Sequence, residues 1–252
     1  MQRYMNQATT RLGTFLSLGS ATLAELCADL SMDWVLIDLE HGCQSEASLP
    51  EQLRALRGSN TLGVVRVANL QDGLIGRALD WGAAGIMLSH VDDRGKAEAL
   101  VQQACYPPRG QRGVSRTVRA HAHGLRLPAD FRTAAPPLLL AQIESFQAVE
   151  AAAEIAAVDG IDALFVGPAD LSHSLSLEQH NPGYEACLDR VIEAARLTGK
   201  GWGILARHAD DLRALLAREP RWLALDSDLS LLREAWRSRL EALRQPARGS
   251  KP

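Results

Sequence analysis

Short apolar runs alternate with longer amphipathic segments along this chain, and that alternation predicts βαβ units around a parallel sheet. The apolar runs fall at Leu12–Leu18, Trp34–Leu39, Gly63–Ala68, Ala84–Ser89, Leu138–Ile143, Ala163–Val166, Gly203–Ala206 and Trp222–Asp226. Most are continuous, as expected of strands covered on both faces. Between them, apolar residues recur at helical spacing in Ala21–Leu30, Glu46–Arg57, Gly73–Trp81, Arg94–Ala104, Phe146–Ala157, Gly183–Thr198, Ala209–Arg218 and Leu229–Leu243. Ser20 reads as the N-cap of the first segment, which places Leu23, Leu26, Cys27 and Leu30 on one face. Strict alternation of strands and helices predicts a closed (β/α)8 TIM barrel. An open doubly wound sheet would usually show a Gly-rich dinucleotide fingerprint after its first strand, and none is present.

Two stretches break the rhythm. Tyr106–Arg132 is rich in Pro, Gly and Arg, and Leu171–Pro182 follows the sixth apolar run. Both are expected to be long loops on the face where barrel active sites sit. The small polar tail, residues 245–252, is expected to fray. No repeat or linker divides the chain, so residues 1–252 read as a single domain.

Bulk properties narrow the function classes. The chain has 252 residues, enough for one barrel. Its formal net charge of −3 argues against a nucleic-acid binder. Cys27, Cys43, Cys105 and Cys187 are scattered, with neither a disulfide framework nor a zinc-ribbon spacing. There is no apolar core of a secretory signal at the N-terminus and no stretch of the ~20 apolar residues needed to span a bilayer. A cytoplasmic protein without nucleic-acid or membrane partners is expected.

In such a barrel, polar residues at the C-terminal ends of strands converge on one pocket. The second run leads into Leu39-Glu40-His41-Gly42, the third carries Arg66, the fifth ends with Gln142 and Glu144, the sixth leads to Asp170, and the eighth ends at Asp226. Glu144 and Asp170 come from adjacent strands; they suit a hard cation such as Mg²⁺ or Mn²⁺, or else are first-turn acids stabilising helix dipoles. Arg66 is either half of a structural ion pair or a fork of donors for a carboxylate or enolate oxygen. His41 is a loop histidine or a general base. Gly167, Pro168 and Ala169 precede a helix start whose N–H groups suit an anion. His121 and His123 read as solvated, as do the arginines at 109, 112, 116 and 119, although these could also meet an anionic substrate or a neighbouring subunit.

As a set these stretches resemble the HpcH/HpaI aldolases, class II pyruvate aldolases that include 4-hydroxy-2-oxoheptanedioate and 2-keto-3-deoxy sugar-acid aldolases. The resemblance rests on DWVLIDLEHG (33–42), VVRV (64–67), ALDWGAAGIML (78–88), YPPRGQRGVS (106–115), QIES (142–145), GIDALFVGPADLS (160–172) and SDLSLL (227–232). It implies Glu144 and Asp170 as metal ligands, with Mg²⁺, Mn²⁺ or Co²⁺ as the ion. It implies that Arg66 binds pyruvate oxygens, that His41 is catalytic and paired with Asp80, and that Gln142 and the Gly167–Asp170 backbone surround the pyruvate carboxylate. The expected reaction is reversible cleavage of a 4-hydroxy-2-oxo acid to pyruvate and an aldehyde through a pyruvate enolate. It needs no Schiff-base lysine, and neither Lys96 nor Lys200 lies at a strand's C-terminal end. The expected assembly is a homohexamer with swapped C-terminal helices, which gives Leu229–Leu243 an interface role. Ser89, where the family usually has proline, and Asp226, where glycine is common, are departures; the added carboxylate bears on aldehyde preference or on the metal environment. The alternatives are an acyl-CoA lyase of the citrate-lyase β-chain type and a non-catalytic barrel that binds a 2-oxo acid.

Overall fold

In the computed structural model, which describes residues 9–70, 73–179, 182–207 and 209–244, eight parallel strands close on themselves in chain order. Along the chain run β1 (Arg11–Leu16), α1 (Ala21–Asp29), β2 (Trp34–Asp38), α2 (Leu49–Ala55), β3 (Leu62–Val67), α3 (Leu74–Asp80), β4 (Gly85–Leu88) and α4 (Arg94–Ala104). They are followed by β5 (Leu138–Ile143), α5 (Phe146–Glu150), α6 (Ala152–Ala156), β6 (Ala163–Val166), α7 (Pro168–Leu177), α8 (Tyr184–Leu197), β7 (Gly201–Ala206), α9 (Ala209–Leu216), β8 (Trp222–Ser227) and α10 (Asp228–Arg244). All eight expected strands are present. The expected helix Phe146–Ala157 divides at Ala151 into α5 and α6. Pro50 sets the start of α2, since a proline is tolerated only where no N–H is needed.

Neither expected loop is what its composition suggested. Leu171–Pro182 was read as a loop, but Pro168–Leu177 is helical, with Pro168 at its start and Ser172 and Ser176 folded back onto main-chain carbonyls. Tyr106–Arg132 does not lie on the active-site face. It follows α4, which has already returned the chain to the end where strands begin. There Arg112 meets Asp80 at the end of α3, and Arg119 donates to the carbonyls of Trp81 and Leu53. Arg112 also stacks over Tyr106, and Tyr106 and His121 pack edge-on against Phe131. Arg112 and Arg119 thus tie loop to helix ends at the barrel's far end. The tail beyond residue 244 lies outside the described residues.

Two apolar layers hold the fold. The outer one packs helices on strands and includes Val35, Ile37, Val65, Ile86, Leu139, Leu164, Leu100 and Ile155. The inner one fills the barrel with Phe15, Trp34, Leu36, Val64, Met87, Leu138, Leu140, Ala163, Phe165, Trp222 and Ala224. These inner residues fall at alternate strand positions, as the pleat requires. Trp34 meets Trp222 and Phe165 edge to face, with centroids 5.7 and 6.0 Å apart. The aromatic cluster fits only because the facing strand positions are bare. A Cβ at Gly13 would lie 2.5 Å from the Trp34 ring, and one at Gly203 would lie 2.6 Å from Phe165. Trp34→Ala should cost about 3–5 kcal/mol in urea unfolding, because nothing nearby can collapse into the space of a fully buried indole.

Candidate active site

The two-residue period that fills the barrel also builds its polar rim. Trp34 and Leu36 on β2 are followed on the same face by Asp38, and Leu62 and Val64 on β3 by Arg66. Met87 is followed by Ser89, and Leu138 and Leu140 by Gln142 and then Glu144. Asp38 and Arg66 are register partners on neighbouring strands, so their side chains meet above the apolar layers. All of these rim residues are buried.

Arg66 spans the rim. Its Nε and Nη2 donate to the two Asp38 oxygens at 2.8 and 2.7 Å, its Nη1 lies 3.0 Å from Glu40 Oε2, and its guanidinium rests over the Phe15 ring. Both readings of Arg66 therefore meet in one residue: it is ion-paired, and it lines the cleft. Burial on its own would raise Asp38. The Arg66 hydrogen bonds and charge, with the N–H groups of Glu40 and His41 donating to Asp38 Oδ1, outweigh it and hold the carboxyl below the usual range. The same two N–H bonds fix the turn after β2 and so set where Glu40 and His41 stand.

Glu144 occupies the opposite wall. Its Oε1 accepts the His90 N–H at 2.7 Å and its Oε2 accepts the Gln142 amide at 2.7 Å. Gly167 leaves room for it: a Cβ there would lie 2.6 Å from Glu144 Oε2. Burial pushes the Glu144 carboxyl up, the His90 N–H and ring oppose that, and the nearby charges of Glu40 and Asp170 raise it further. Asp170 sits in the first turn of α7, whose leading N–H groups have no intrahelical partners. Ser89 donates from its hydroxyl to Glu40 Oε2 at 2.5 Å, a bond a proline at this position could not make.

A cleft of about 630 Å³ opens over this rim, walled by Asp38, His41, Arg66, Gln142, Gly167–Asp170 and Asp226. Within the buried rim the carboxylates of Asp38, Glu40 and Glu144 surround the guanidinium of Arg66; half-buried Asp170 stands near Glu144, and Arg207 and Arg233 also line the cleft. Such an excess of buried negative charge is costly unless a cation joins it, and oxygen ligands of this kind suit a divalent ion. One ligand atom each from Glu40, His90 and Glu144 also lie within 4.8 Å of one another. Lys96 and Lys200 donate to main-chain carbonyls of His90 and Ile161 and do not line the cleft.

The rim thus brings together His41, Arg66, Gln142, Glu144, Gly167, Pro168, Ala169 and Asp170. Asp80 is not with them. It ends α3, at the end of the barrel where strands begin, and its carboxylate takes Arg112 at 2.6 Å, so within one chain it cannot orient His41. Asp38 and His90 were not singled out from the sequence, and Glu40 only as a neighbour of His41. Counting every second residue outward from Trp34 would have found Asp38, because the residue two beyond an inward apolar one must also point inward.

The sequence profile of the HpcH/HpaI aldolase/citrate lyase family matches residues 11–235. The hydroxypyruvate/pyruvate aldolase of Delftia acidovorans is 35% identical over 92% of this chain and 87% of its own. The 2-keto-3-deoxy-L-rhamnonate aldolase of Salmonella gallinarum is 34% identical over 94% of this chain and 90% of its own. The crystal structure of a HpcH/HpaI aldolase/citrate lyase family protein from Burkholderia cenocepacia superposes with a TM-score of 0.89 at 34% identity, covering 97% of this chain and 98% of that one.

Removing one partner of a buried ion pair costs about 3–5 kcal/mol, and because Glu40 still faces Arg66, Asp38→Asn should fall at about 3. Asp38 has a lowered value in the fold, so its contribution is present above the unfolded carboxyl range and is lost as pH falls through the folded value. Urea unfolding of wild type and Asp38→Asn should show the full gap at neutral pH, narrowing only below about pH 4. A gap that is constant with pH would mean the pair is not ionic.

Proposed function

The chain belongs to the HpcH/HpaI aldolase/citrate lyase family, and we propose that it is a divalent-metal-dependent aldolase cleaving a 4-hydroxy-2-oxo acid to pyruvate and an aldehyde through a pyruvate enolate. The observation that carries this reading is the buried Arg66 fork beside carboxylates whose charge it does not balance. A divalent cation at Glu144 and Asp170, Mg²⁺, Mn²⁺ or Co²⁺, would supply Lewis acidity toward the 2-oxo group.

The chain's own residues do the rest. Asp38 and Glu40 fix Arg66 in place, and its remaining N–H groups face the cleft, where they bind the oxygen on which enolate charge develops. Because the guanidinium is already held, little reorganisation is needed as charge moves. The N–H groups of Ala169 and Asp170 at the start of α7 bind the substrate carboxylate, Pro168 having none to offer. Gly167 lets that carboxylate approach, and Gln142 keeps Glu144 turned toward it. His41, exposed at the mouth, takes the C4 hydroxyl proton through a water as the C3–C4 bond breaks. The electron pair of that bond becomes the enolate, which is protonated at C3 to give pyruvate. The aldehyde leaves past Asp226, which lines the cleft.

Two copies are needed to join His41 to Asp80. A cytoplasmic homohexamer answers that need, and α10 offers the surface: Leu229, Leu231, Trp236, Leu240 and Leu243 are exposed in the single chain.

Pyruvate release from 4-hydroxy-2-oxoheptanedioate and from 2-keto-3-deoxy sugar acids should stop with EDTA and return with Mg²⁺, Mn²⁺ or Co²⁺. Arg66→Lys keeps a charge beside Asp38 and Glu40 but loses the fork, and should lower kcat/KM by about 10²–10³-fold. Cleavage of malyl-CoA without pyruvate release from any hydroxy-oxo acid would transfer the protein to the acyl-CoA lyases. If the catalytic pair is shared between copies, co-refolding inactive His41→Ala with inactive Asp80→Asn should recover activity that neither shows alone. No recovery would remove Asp80 from the site.

A further inference from the structure

His90 has no task in a site of two carboxylates. It stands just past β4, after Ser89, with its backbone at φ +50°, a left-handed conformation that residues with side chains seldom adopt. From there its N–H reaches Glu144 Oε1 at 2.7 Å while its ring folds back over the same carboxylate. Nδ1 lies 3.3 Å from Glu144 Oε1, and Nε2 lies 3.9 Å from Glu40 Oε1. Glu40 cannot swing away, because Ser89 and Arg66 hold its Oε2. Oε1 is the atom turned toward the imidazole.

A ring meets one ion through one nitrogen, and one ring nitrogen with one oxygen from each carboxylate lie within 4.8 Å of one another. Ligand atoms about 2.1 Å from one ion stand roughly 3–3.5 Å apart, so small side-chain rotations close the group. The carboxylates are nearly dry, with Glu40 and Glu144 side chains 7% and 1% exposed, while the His90 ring is half open to the solvent from which an ion arrives. A hydrogen bond from a neutral imidazole to Glu144 would leave that carboxylate's charge unbalanced, because Arg66 already serves Asp38 and Glu40. Imidazole nitrogen also differs from oxygen in which metals it favours: borderline transition ions gain from it, and Mg²⁺ does not.

Resting on the metal-dependent reading above, we propose that His90 is a nitrogen ligand to the cation held by Glu144, with Glu40 as a further oxygen ligand. The site therefore favours Co²⁺ or Zn²⁺ over Mg²⁺. Ser89 and the left-handed turn at residue 90 are what present the ring, so the departure from the family pattern at this point acts on metal choice.

The full-length protein, stripped with a chelator, is titrated with Co²⁺ and with Mg²⁺ by calorimetry. Its Mn²⁺ form is examined by electron spin-echo modulation for nitrogen coupling. Each measurement is repeated on His90→Gly and Glu144→Gln; glycine suits the left-handed backbone, so the first variant deletes the ring without straining the turn. Nitrogen coupling should be present in wild type and absent from His90→Gly. Co²⁺ affinity should fall by about 10–100-fold in that variant, with Mg²⁺ affinity changing by less than about threefold. Absence of nitrogen coupling in wild type, or equal Co²⁺ affinity with and without the ring, overturns the proposal and leaves the aldolase reading standing. Co²⁺ binding that Glu144→Gln also leaves unchanged removes the cation site on which both depend.

Discussion

The buried pair between Asp38 and Arg66 is the interaction on which the rest of the rim depends. It is set by strand register, since the two residues face each other across β2 and β3 at the level where the apolar filling stops. An arginine there would be intolerable unpaired, and a carboxylate likewise. Once joined, Asp38 spends its remaining acceptor capacity on the N–H groups of Glu40 and His41. The pair thus fixes the guanidinium that faces the cleft and the turn that carries the histidine. One contact positions groups from two strands and a loop.

Charge on the rim is deliberately unequal to what the pair can neutralise. Asp38 is held below the usual carboxylate range by Arg66, whereas Glu144 is pushed above it by burial and by Glu40 and Asp170. Two carboxyls on one rim thus differ because one has a cation in contact and the other does not. A fold retains such an imbalance when binding something positive stabilises it, and stabilisation by a ligand grows with its concentration over its dissociation constant.

The two ends of the barrel divide the labour. At the end where strands begin, the Tyr106–Arg132 segment uses arginines as ties: Arg112 on Asp80, Arg119 on carbonyls at the ends of α2 and α3. At the other end, arginine is used as a donor aimed into the cleft. Between them Trp34, Trp222 and Phe165 pack the barrel interior. The bareness of Gly13 and Gly203 serves that closure, and the bareness of Gly167 serves the site, where any side chain would displace Glu144.

The barrel was legible in the sequence because burial on both faces of a strand leaves an unbroken apolar run, and amphipathic helices leave a different period. Arg66, Glu144 and Asp170 were legible because a charge in or just after such a run must sit at a strand end. Composition misled where it does not encode direction: the Pro- and Arg-rich segment looked like an active-site loop, but the preceding helix, running back between the parallel strands β4 and β5, returns it to the opposite end. Leu171–Pro182 looked irregular because serines and a proline are poor helix formers, yet Pro168 starts α7 and the hydroxyls bond within it. Sequence alone therefore determined the order of strands and helices and placed Arg66, Glu144 and Asp170 near the rim, since those follow from local periodicity. Only the tertiary structure decided which of them touch. It paired Arg66 with Asp38, turned His90 onto Glu144 and carried Asp80 to the far end. Register, closure of the barrel and a left-handed turn act across distances that no local pattern records.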